Sequence, residues 1–290
     1  MKVILSSNPY RDYNLGAALE AKEVLEKFGV ETVLVLPFDL KKSDDIKVPS
    51  DVVLSTLQAE LPTSDVLICF GGDGTILHAA RDAVIHNIPI LGINMGSVGF
   101  MAELERTELF MLRALAEGRY TTENRMMIQV RHLKGERVLY DGVALNDAVI
   151  SKGSMARVAE VEVIAGDIQV TTITGDGVIV STPTGSTAYS MSSGGAIVEP
   201  TTECLLITPI CAHQLTARPM VLSGDRVLTL RLPKGSRKHL YLAVDGGKTI
   251  RINPGERIEI YQSQSVTRLI RLTNRSFFHT LNQKLRGNSR

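Results

Sequence analysis

The chain has 290 residues, 44% of them hydrophobic and 22% charged, which favours two domains and is typical of a globular protein with a sizeable core. Its formal net charge of +1 gives no electrostatic reason to expect nucleic acid or an anionic membrane as a partner. No apolar run reaches the ~18 residues that a membrane span requires.

Strands and helices alternate over residues 1–122. Apolar runs predict buried strands at KVILS, ETVLVL, VLICF and IPILGIN, and helical spacing predicts helices over LGAALEAKEVLEKFG, after GGDGT, and over ELFMLRALAEG. Gly29 is placed to end the first helix. This alternation predicts a Rossmann-like α/β domain with a parallel sheet, whose ligands bind beyond the carboxyl ends of the strands.

Over residues 123–266 the hydrophobic period changes to two. Short strands are predicted at MMIQVRHL, RVLYDGVAL, AEVEVIAG, DRVLTLRL, HLYLAVDGG, KTIRIN and ERIEIY. We therefore predict an antiparallel β-sandwich domain. The tail, residues 267–290, returns to helical spacing in SFFHTLNQKLRG, and we predict that it packs back on the N-terminal domain.

The start of the chain and its cysteines indicate a compartment. MKVILSSNPY lacks the long apolar region and the small-residue cleavage site of a signal peptide. Cys69, Cys204 and Cys211 include no C-x-x-C pair, which argues against a disulfide framework and a zinc site. We predict a cytoplasmic protein without a catalytic thiol.

The segment VLICFGGDGTILHAAR leads from a predicted strand into a helix through a glycine turn, a usual geometry for receiving a phosphate. It carries an acid, Asp73, which would repel a phosphate. One interpretation is that Asp73 caps the helix. The other is that it accepts a proton from a hydroxyl, or holds a magnesium ion that bridges phosphates. The sequence contains neither G-x-x-x-x-G-K-[ST] nor G-x-G-x-x-G.

Two further segments concentrate polar residues. Asn146–Asp147 interrupts the apolar run ALNDAVI, and this pair could bind the hydroxyls of a ribose or could mark a strand end or bulge. The segment GDGVIVSTPTGSTAYSMSSGGAIVEP is rich in hydroxyls and glycines. It suits an uncharged polar ligand approached closely by backbone atoms, and a plain Ser/Thr loop is the alternative. Tyr189 offers a ring for stacking or a hydroxyl for bonding.

Together these segments resemble the NAD kinase family in its bacterial form, whose members phosphorylate NAD to NADP. GGDGT is similar to the family's signature, GINMGSVGF to its second glycine loop, ALNDAVI to its Asn-acidic pair, and the hydroxyl-rich segment to its long motif. The resemblance covers Val66 to Pro219. GGDG alone is less specific, because lipid kinases and phosphofructokinases carry related versions.

The resemblance implies roles for individual residues. Asp73 would be the general base facing the 2′-hydroxyl of the adenosine ribose, and Phe100 would lie against the adenine. A loop for the phosphates of the donor would be formed by Gly71, Gly72 and Thr75. NAD would be bound by Asp73, Gly74, His78, Phe100, Asn146, Asp147, Arg157, Asp176, Thr187, Ala188, Tyr189, Ser190, Met191 and Ser192.

The resemblance also implies co-substrates and an assembly. The phosphoryl donor would be ATP or polyphosphate, used with Mg²⁺, and no metal site built from protein side chains alone is predicted. The assembly would be a homodimer or a homotetramer. The resemblance does not imply which donor is preferred, or whether NAD is preferred over NADH. It also does not imply which of the two assemblies forms, or whether the enzyme is subject to feedback inhibition.

The chain departs from the family pattern at three positions. Asp147 stands where many members have glutamate, and it keeps the charge with a shorter reach. Gly247 stands where many members have glutamine after Asp-Gly, and Thr174 where some have arginine before Gly-Asp-Gly. The contacts that the longer side chains would make are therefore left open.

Two other functions compete with this interpretation. A lipid or sugar kinase of the GGDG group would share the first loop but has no need of the long hydroxyl-rich segment. A non-catalytic dinucleotide-binding or regulatory module could keep the pocket but would not need an acid at position 73.

Overall fold

The computed structural model describes residues 1–38, 49–50, 52–96, 99–153 and 157–285. Parts of three predicted segments therefore lie outside the described residues, namely 97–98 of the second glycine loop, 154–156 before Arg157, and 286–290 of the tail. The chain forms two compact units, Met1–Asn124 with Thr267–Arg290, and Arg125–Val266.

The first unit alternates strands and helices. Its elements are β1 (Lys2–Ser7), α1 (Gly16–Glu26), β2 (Glu31–Val35), β3 (Leu54–Ser55), α2 (Leu57–Glu60), β4 (Val66–Gly71), α3 (Asp73–Ala83), β5 (Ile90–Asn94), β6 (Leu104–Glu105) and α4 (Leu112–Ala116). Short 3₁₀ turns cover Tyr13–Leu15, Leu61–Thr63, Val84–His86 and Arg106–Met111. The predicted helix over ELFMLRALAEG thus begins as a 3₁₀ helix and only its second half is α4.

The strands of the first unit form the predicted parallel sheet, in the order β5-β4-β1-β2-β3, with β6 beside β5. Every residue of β4 and β5 is buried, which fits parallel strands covered on both faces. Helix α1 ends at Glu26, and Gly29 follows in the left-handed region at φ +73°. The glycine turn after β4 and the loop after β5 both lie at the carboxyl ends of neighbouring strands.

The second unit is almost entirely β-structure. Its strands are β7 (Thr121–Lys134), β8 (Arg137–Ala144), β9 (Asp147–Lys152), β10 (Ala159–Ala165), β11 (Ile168–Gly175), β12 (Gly177–Ser181), β13 (Cys204–Ile210), β14 (Met220–Ser223), β15 (Leu228–Arg231), β16 (Leu240–Val244), β17 (Ile250–Ile252) and β18 (Glu256–Arg271). Between β12 and β13 lie a 3₁₀ turn, Thr184–Thr187, and a short helix, α5 (Tyr189–Ser192). Both β7 and β18 run across the boundary between the units.

Two antiparallel layers share the core of this unit. One is the six-stranded sheet β14-β13-β12-β9-β16-β17, and the other contains the run β11-β10-β15-β18 and the hairpin β7-β8. Buried residues of both layers, such as Val161, Val178, Leu205, Leu230 and Ile258, belong to one apolar cluster. The predicted fold class, an α/β domain followed by an antiparallel sandwich, is confirmed.

The tail carries helix α6 (Phe277–Leu285) and belongs to the first unit. The ring of Phe277 lies 5.9 Å from the ring of Phe100, centroid to centroid. The predicted return of the tail to the N-terminal domain is therefore confirmed. No helix in the described ranges is long and apolar enough to cross a membrane.

Candidate active site

The turn after β4 joins the strand directly to α3. Gly72 is the N-cap residue and Asp73 is the first residue of the helix, and the side chain of Asp73 makes no capping hydrogen bond. The helix-cap interpretation of Asp73 is therefore wrong. A Cβ atom on Gly71 would lie 2.2 Å from Thr75 Oγ1, so the turn requires glycine at this position.

The carboxylate of Asp73 is held by the loop that follows β5. The backbone N–H of Phe100 donates to Asp73 Oδ2 at 2.9 Å, and the N–H of Met101 donates to Oδ1 at 3.0 Å. A Cβ atom on Gly99 would lie 2.3 Å from Oδ1, so this loop passes very close to the acid. The sequence alone does not predict these contacts, because they join residues 27 and 28 positions apart.

A cavity of about 290 Å³ opens beside the same turn. Arg11 supplies a positive charge, and the N-terminal end of α3 offers backbone N–H groups, a combination that suits phosphate oxygens. Asp73 is not among the described residues that line the cavity. The lining consists of Asn8, Arg11, Pro37, Phe38, Gly71, Gly72, Gly74, Thr75, His78, Asn94, Met95 and Gly96.

The structure thus brings together the predicted donor loop, Gly71, Gly72 and Thr75, with Gly74 and His78. Sequence reasoning missed Asn8 and Arg11. The side-chain amide of Asn8 donates to Thr75 Oγ1 at 3.2 Å. Their position could have been predicted from the sequence, because both residues follow β1. The carboxyl end of β1 lies beside that of β4 at one edge of a parallel sheet.

Phe100, the predicted adenine contact, is half-buried and touches helix α6. Lys284 Nζ lies 4.2 Å from the centroid of its ring, a cation–π geometry, and Phe277 packs against it at a tilt of 38°.

In the second unit, Asn146 and Asp147 lie in the turn that leads into β9, and the side chain of Asp245 stabilises this turn. The carboxylate of Asp245 accepts the backbone N–H groups of Leu145 (2.8 Å), Asn146 (2.8 Å) and Asp147 (3.0 Å). Asp245 itself has φ +47°, in the left-handed region. Asp147 is the first residue of β9, so the strand-end interpretation describes its backbone correctly, and a contact with ribose stays a prediction.

The side chains of this pair have unusual surroundings. Asp147 is only 6% exposed, and its burial together with the nearby Asp245 carboxylate raises its pKa to about 7. Asn146 Oδ1 is buried and has no hydrogen-bond partner among the described residues. A buried acceptor without a donor is costly in a folded protein, and a ligand donor would satisfy it.

Much of the hydroxyl-rich segment packs around the Asn146 turn. Thr182 Oγ1 donates to the carbonyl of Leu145 at 2.5 Å, and a Cβ atom on Gly185 would lie 2.1 Å from the carbonyl oxygen of Asn146. Ser190 is fully buried, with its Oγ 2.8 Å from Thr208 Oγ1. Among the predicted NAD contacts, Tyr189 and Ser192 are exposed and Thr187, Ala188 and Met191 are partly buried.

Arg157 and Asp176 lie away from this turn. Asp176 pairs with Lys152 at 2.6 Å, and Arg157 lines a separate cavity of about 330 Å³ with Lys152 and Lys238. In the register of β9 and β12, Asp147 faces Ser181 at one end and Ser151 faces Gly177 at the other. The ends of β9 are roughly 17 Å apart, so one chain does not gather all the predicted NAD contacts of this unit at one point.

The described residues contain no cluster of three His, Cys, Asp or Glu side chains that could hold a metal ion. A magnesium ion usually takes one or two carboxylates and completes its shell with phosphates and water. Asp73, beside the glycine turn, could supply one such carboxylate if the donor nucleotide brought the ion.

The fold and the site together define the class of nucleotide-dependent kinases. Two family models cover most of the chain, the ATP-NAD kinase N-terminal domain over residues 5–120 and the ATP-NAD kinase C-terminal domain over residues 145–272. The chain belongs to the NAD kinase family.

Curated relatives agree with this membership. The NAD kinase of Natranaerobius thermophilus is 41% identical over 84% of this chain and 85% of the relative. That of Ruminiclostridium cellulolyticum is 35% identical over 98% of this chain and 97% of its own. That of Caldanaerobacter subterraneus subsp. tengcongensis is 43% identical over 77% and 78%.

Solved structures share the fold. An NAD kinase from Archaeoglobus fulgidus in complex with ATP matches with a TM-score of 0.75 and 26% identity, over 99% of both chains. Yeast NADH kinase complexed with NADH matches with a TM-score of 0.82 over 100% of this chain and 89% of the other, at 24% identity.

Proposed function

We propose that this protein transfers the terminal phosphoryl group of ATP to the 2′-hydroxyl of the adenosine ribose of NAD, which yields NADP. The observation that carries the proposal is the carboxylate of Asp73, oriented by two backbone N–H groups at a turn that borders a cavity of about 290 Å³. Membership of the NAD kinase family supports the choice of acceptor and donor.

Asp73 acts as the general base in this proposal. Each carboxylate oxygen can accept about two hydrogen bonds, and each uses one for Phe100 or Met101. The remaining acceptor positions are available to the proton of a ribose hydroxyl. A positioned acceptor of this kind assists the attack of the hydroxyl oxygen on phosphorus.

The cavity beside the glycine turn receives the phosphates of the donor. Arg11 and the N–H groups at the start of α3 stabilise negative charge there, and phosphoryl transfer depends mainly on such positioning and charge stabilisation. A magnesium ion bound with ATP would neutralise part of the charge on the transferring group. Polyphosphate is the alternative donor, since the cavity features named here recognise phosphate.

Each unit, taken by itself, supplies residues that are predicted to contact NAD. In the second unit, the unpartnered Oδ1 of Asn146, the acid Asp147 and the exposed Tyr189 bind the adenosine part. In the first unit, Phe100 lies against the adenine. We further propose a homodimer or homotetramer. The three free thiols favour a reducing cytoplasm as the compartment.

One assay tests the proposed reaction. Purified protein is incubated with NAD, ATP and Mg²⁺, and NADP is measured by enzymatic cycling. We expect NADP to accumulate in proportion to ADP. Binding of NAD without NADP formation would support a non-catalytic module, and ATP consumption only with lipid or sugar acceptors would support the wider kinase group.

A further inference from the structure

The loop Gly99–Glu103 contacts the carboxylate of Asp73 near its first residues. The N–H groups of Phe100 and Met101 point at the two oxygens of Asp73, at 2.9 and 3.0 Å. The orientation of the Asp73 carboxylate therefore depends on the path of this loop, because both backbone N–H groups that bind the carboxylate belong to the loop.

The other end of the loop is fixed by a buried acid. Glu103 is 3% exposed, and its Oε1 accepts the backbone N–H groups of Leu272 (2.9 Å) and Thr273 (2.6 Å). Its Oε2 pairs with Arg271 at 3.0 Å, and its carbonyl accepts a hydrogen bond from Arg275 at 3.2 Å. All four partners belong to the stretch Arg271–Leu285, which we call the C-terminal segment.

The C-terminal segment then returns to the same loop through helix α6. Lys284 lies 4.2 Å over the ring of Phe100, and Phe277 packs against that ring. The loop is only five residues long, so contacts at residues 100 and 103 restrict its backbone between the two points.

We propose that the C-terminal segment is a positioning element for Asp73, with Glu103 as the residue that transmits its effect. Loss of the negative charge on Glu103 removes its ion pair with Arg271, which then keeps its other carboxylate partner, Glu123. It also weakens the hydrogen bonds that Leu272 and Thr273 donate to Glu103, so the end of the loop shifts. A shift of a few tenths of an ångström at Phe100 and Met101 turns the carboxylate away from the hydroxyl that it must deprotonate. This inference rests on the proposed role of Asp73.

The first variant is Glu103→Gln, which keeps one oxygen for the N–H groups of Leu272 and Thr273 and removes the ion pair with Arg271. We expect kcat to fall roughly 10- to 100-fold, with KM for NAD and ATP within about twofold, because positioning affects the transition state more than binding. The matched control is Glu117→Gln in the same unit, because the Glu117 carboxylate pairs with Arg113 and Arg119 and makes no hydrogen bond with the loop in the described part of the chain. Its kcat should stay at the wild-type value.

A double-mutant cycle separates positioning from a purely structural role. In an Asp73→Asn background the base is already lost, so Glu103→Gln should lower kcat no further. Equal losses in both backgrounds would overturn the inference, as would an unchanged kcat in the single variant. If Glu103→Gln does not fold, Arg271→Met replaces it, because the N–H bonds of Leu272 and Thr273 remain. A wild type that makes no NADP would contradict the proposed function instead.

Discussion

At the scale of single residues, the contacts of Asp73 change what its amide variant should do. Helix capping would survive Asp73→Asn, but the carboxylate instead accepts two N–H groups from the loop after β5. An amide offers only one oxygen, so one of those donors would face an NH₂ group. We expect a loss of about 1–3 kcal/mol in the free energy of unfolding.

The same variant tests catalysis. We expect kcat of Asp73→Asn to fall roughly 10²- to 10⁴-fold, the usual effect of losing a positioned proton acceptor, with little change in nucleotide binding. Measurements of kcat at several Mg²⁺ concentrations accompany a melting curve, and Asp82→Asn on the same helix serves as control. Recovery of the rate at high Mg²⁺ would assign Asp73 to the metal, and a near-normal kcat would contradict both roles.

Asp147 should make stability depend on pH. Its pKa rises from 3.8 to about 7 in the folded state, first because it is buried and second because Asp245 is near. The folded protein therefore binds more protons than the unfolded chain between these values, so this contribution falls as pH rises from about 4 to about 7. The loss at and above neutral pH is at most about 4 kcal/mol.

The measurement is urea unfolding of wild type and Asp147→Asn between pH 5 and pH 8. We expect the difference in unfolding free energy to move in favour of the variant as pH rises. Asp141→Asn, an exposed acid of the same unit, should show no such trend. A constant difference across the range would mean that Asp147 is ionised throughout in the folded state.

Asp147 should also contribute to the affinity for NAD. Above its pKa of about 7 the carboxylate is mostly ionised, and a charge-assisted hydrogen bond from a ribose or adenine group to it is worth roughly 1.5–3 kcal/mol when it is well placed. We expect Asp147→Ala to raise KM for NAD about 10- to 100-fold and to leave KM for ATP unchanged. An unchanged KM for NAD would leave the residue with a structural role alone.

At the scale of elements, the turn into β9 depends on the turn after β16. Asp245 accepts three N–H groups from Leu145, Asn146 and Asp147. Asp245→Asn keeps a side chain that tolerates the left-handed backbone but loses one acceptor oxygen. We expect the unfolding free energy to drop by about 1–3 kcal/mol, measured by urea unfolding, with the exposed Asp225→Asn as control. No loss of stability would mean that the turn is held by its other contacts.

Elements with a clear hydrophobic period could be predicted from the sequence. The continuous apolar runs of β4 and β5 and the apolar–polar alternation of strands such as β10 are visible in a few consecutive residues of the sequence. The long strand β18 was predicted only as ERIEIY, because Gln262 and Ser263 interrupt the apolar pattern, and pairing carries the strand on to Arg271.

The candidate site was predictable only in part. Local composition indicated Asp73, Asn146 and Asp147. The residues that orient them could not be found this way, because Glu103 meets Leu272 and Thr273 across 169 and 170 positions, and Asp245 meets Asn146 across 99. Such pairs are fixed by strand order and register, which local propensity does not encode.

At the scale of the whole molecule, the β-rich unit has edges that favour self-association. Strands β11 and β14 lie at the ends of their described sheets, and they carry Ile168, 71% exposed, and Val221, 53% exposed. Unpaired edge strands with exposed apolar side chains tend to pair with another chain unless they are covered. A second copy of this chain would cover them.

We therefore expect light scattering at micromolar concentration to give a multiple of the 31.6 kDa chain mass. A lysine on an edge opposes pairing, so Ile168→Lys or Val221→Lys should lower the mass, whereas Val53→Lys, at an exposed valine of the first unit, should not. Because predicted NAD contacts lie at both ends of β9, dissociation should also raise KM for NAD. A monomeric wild type with full activity would contradict the oligomer, since every contact that the reaction needs would then come from one chain.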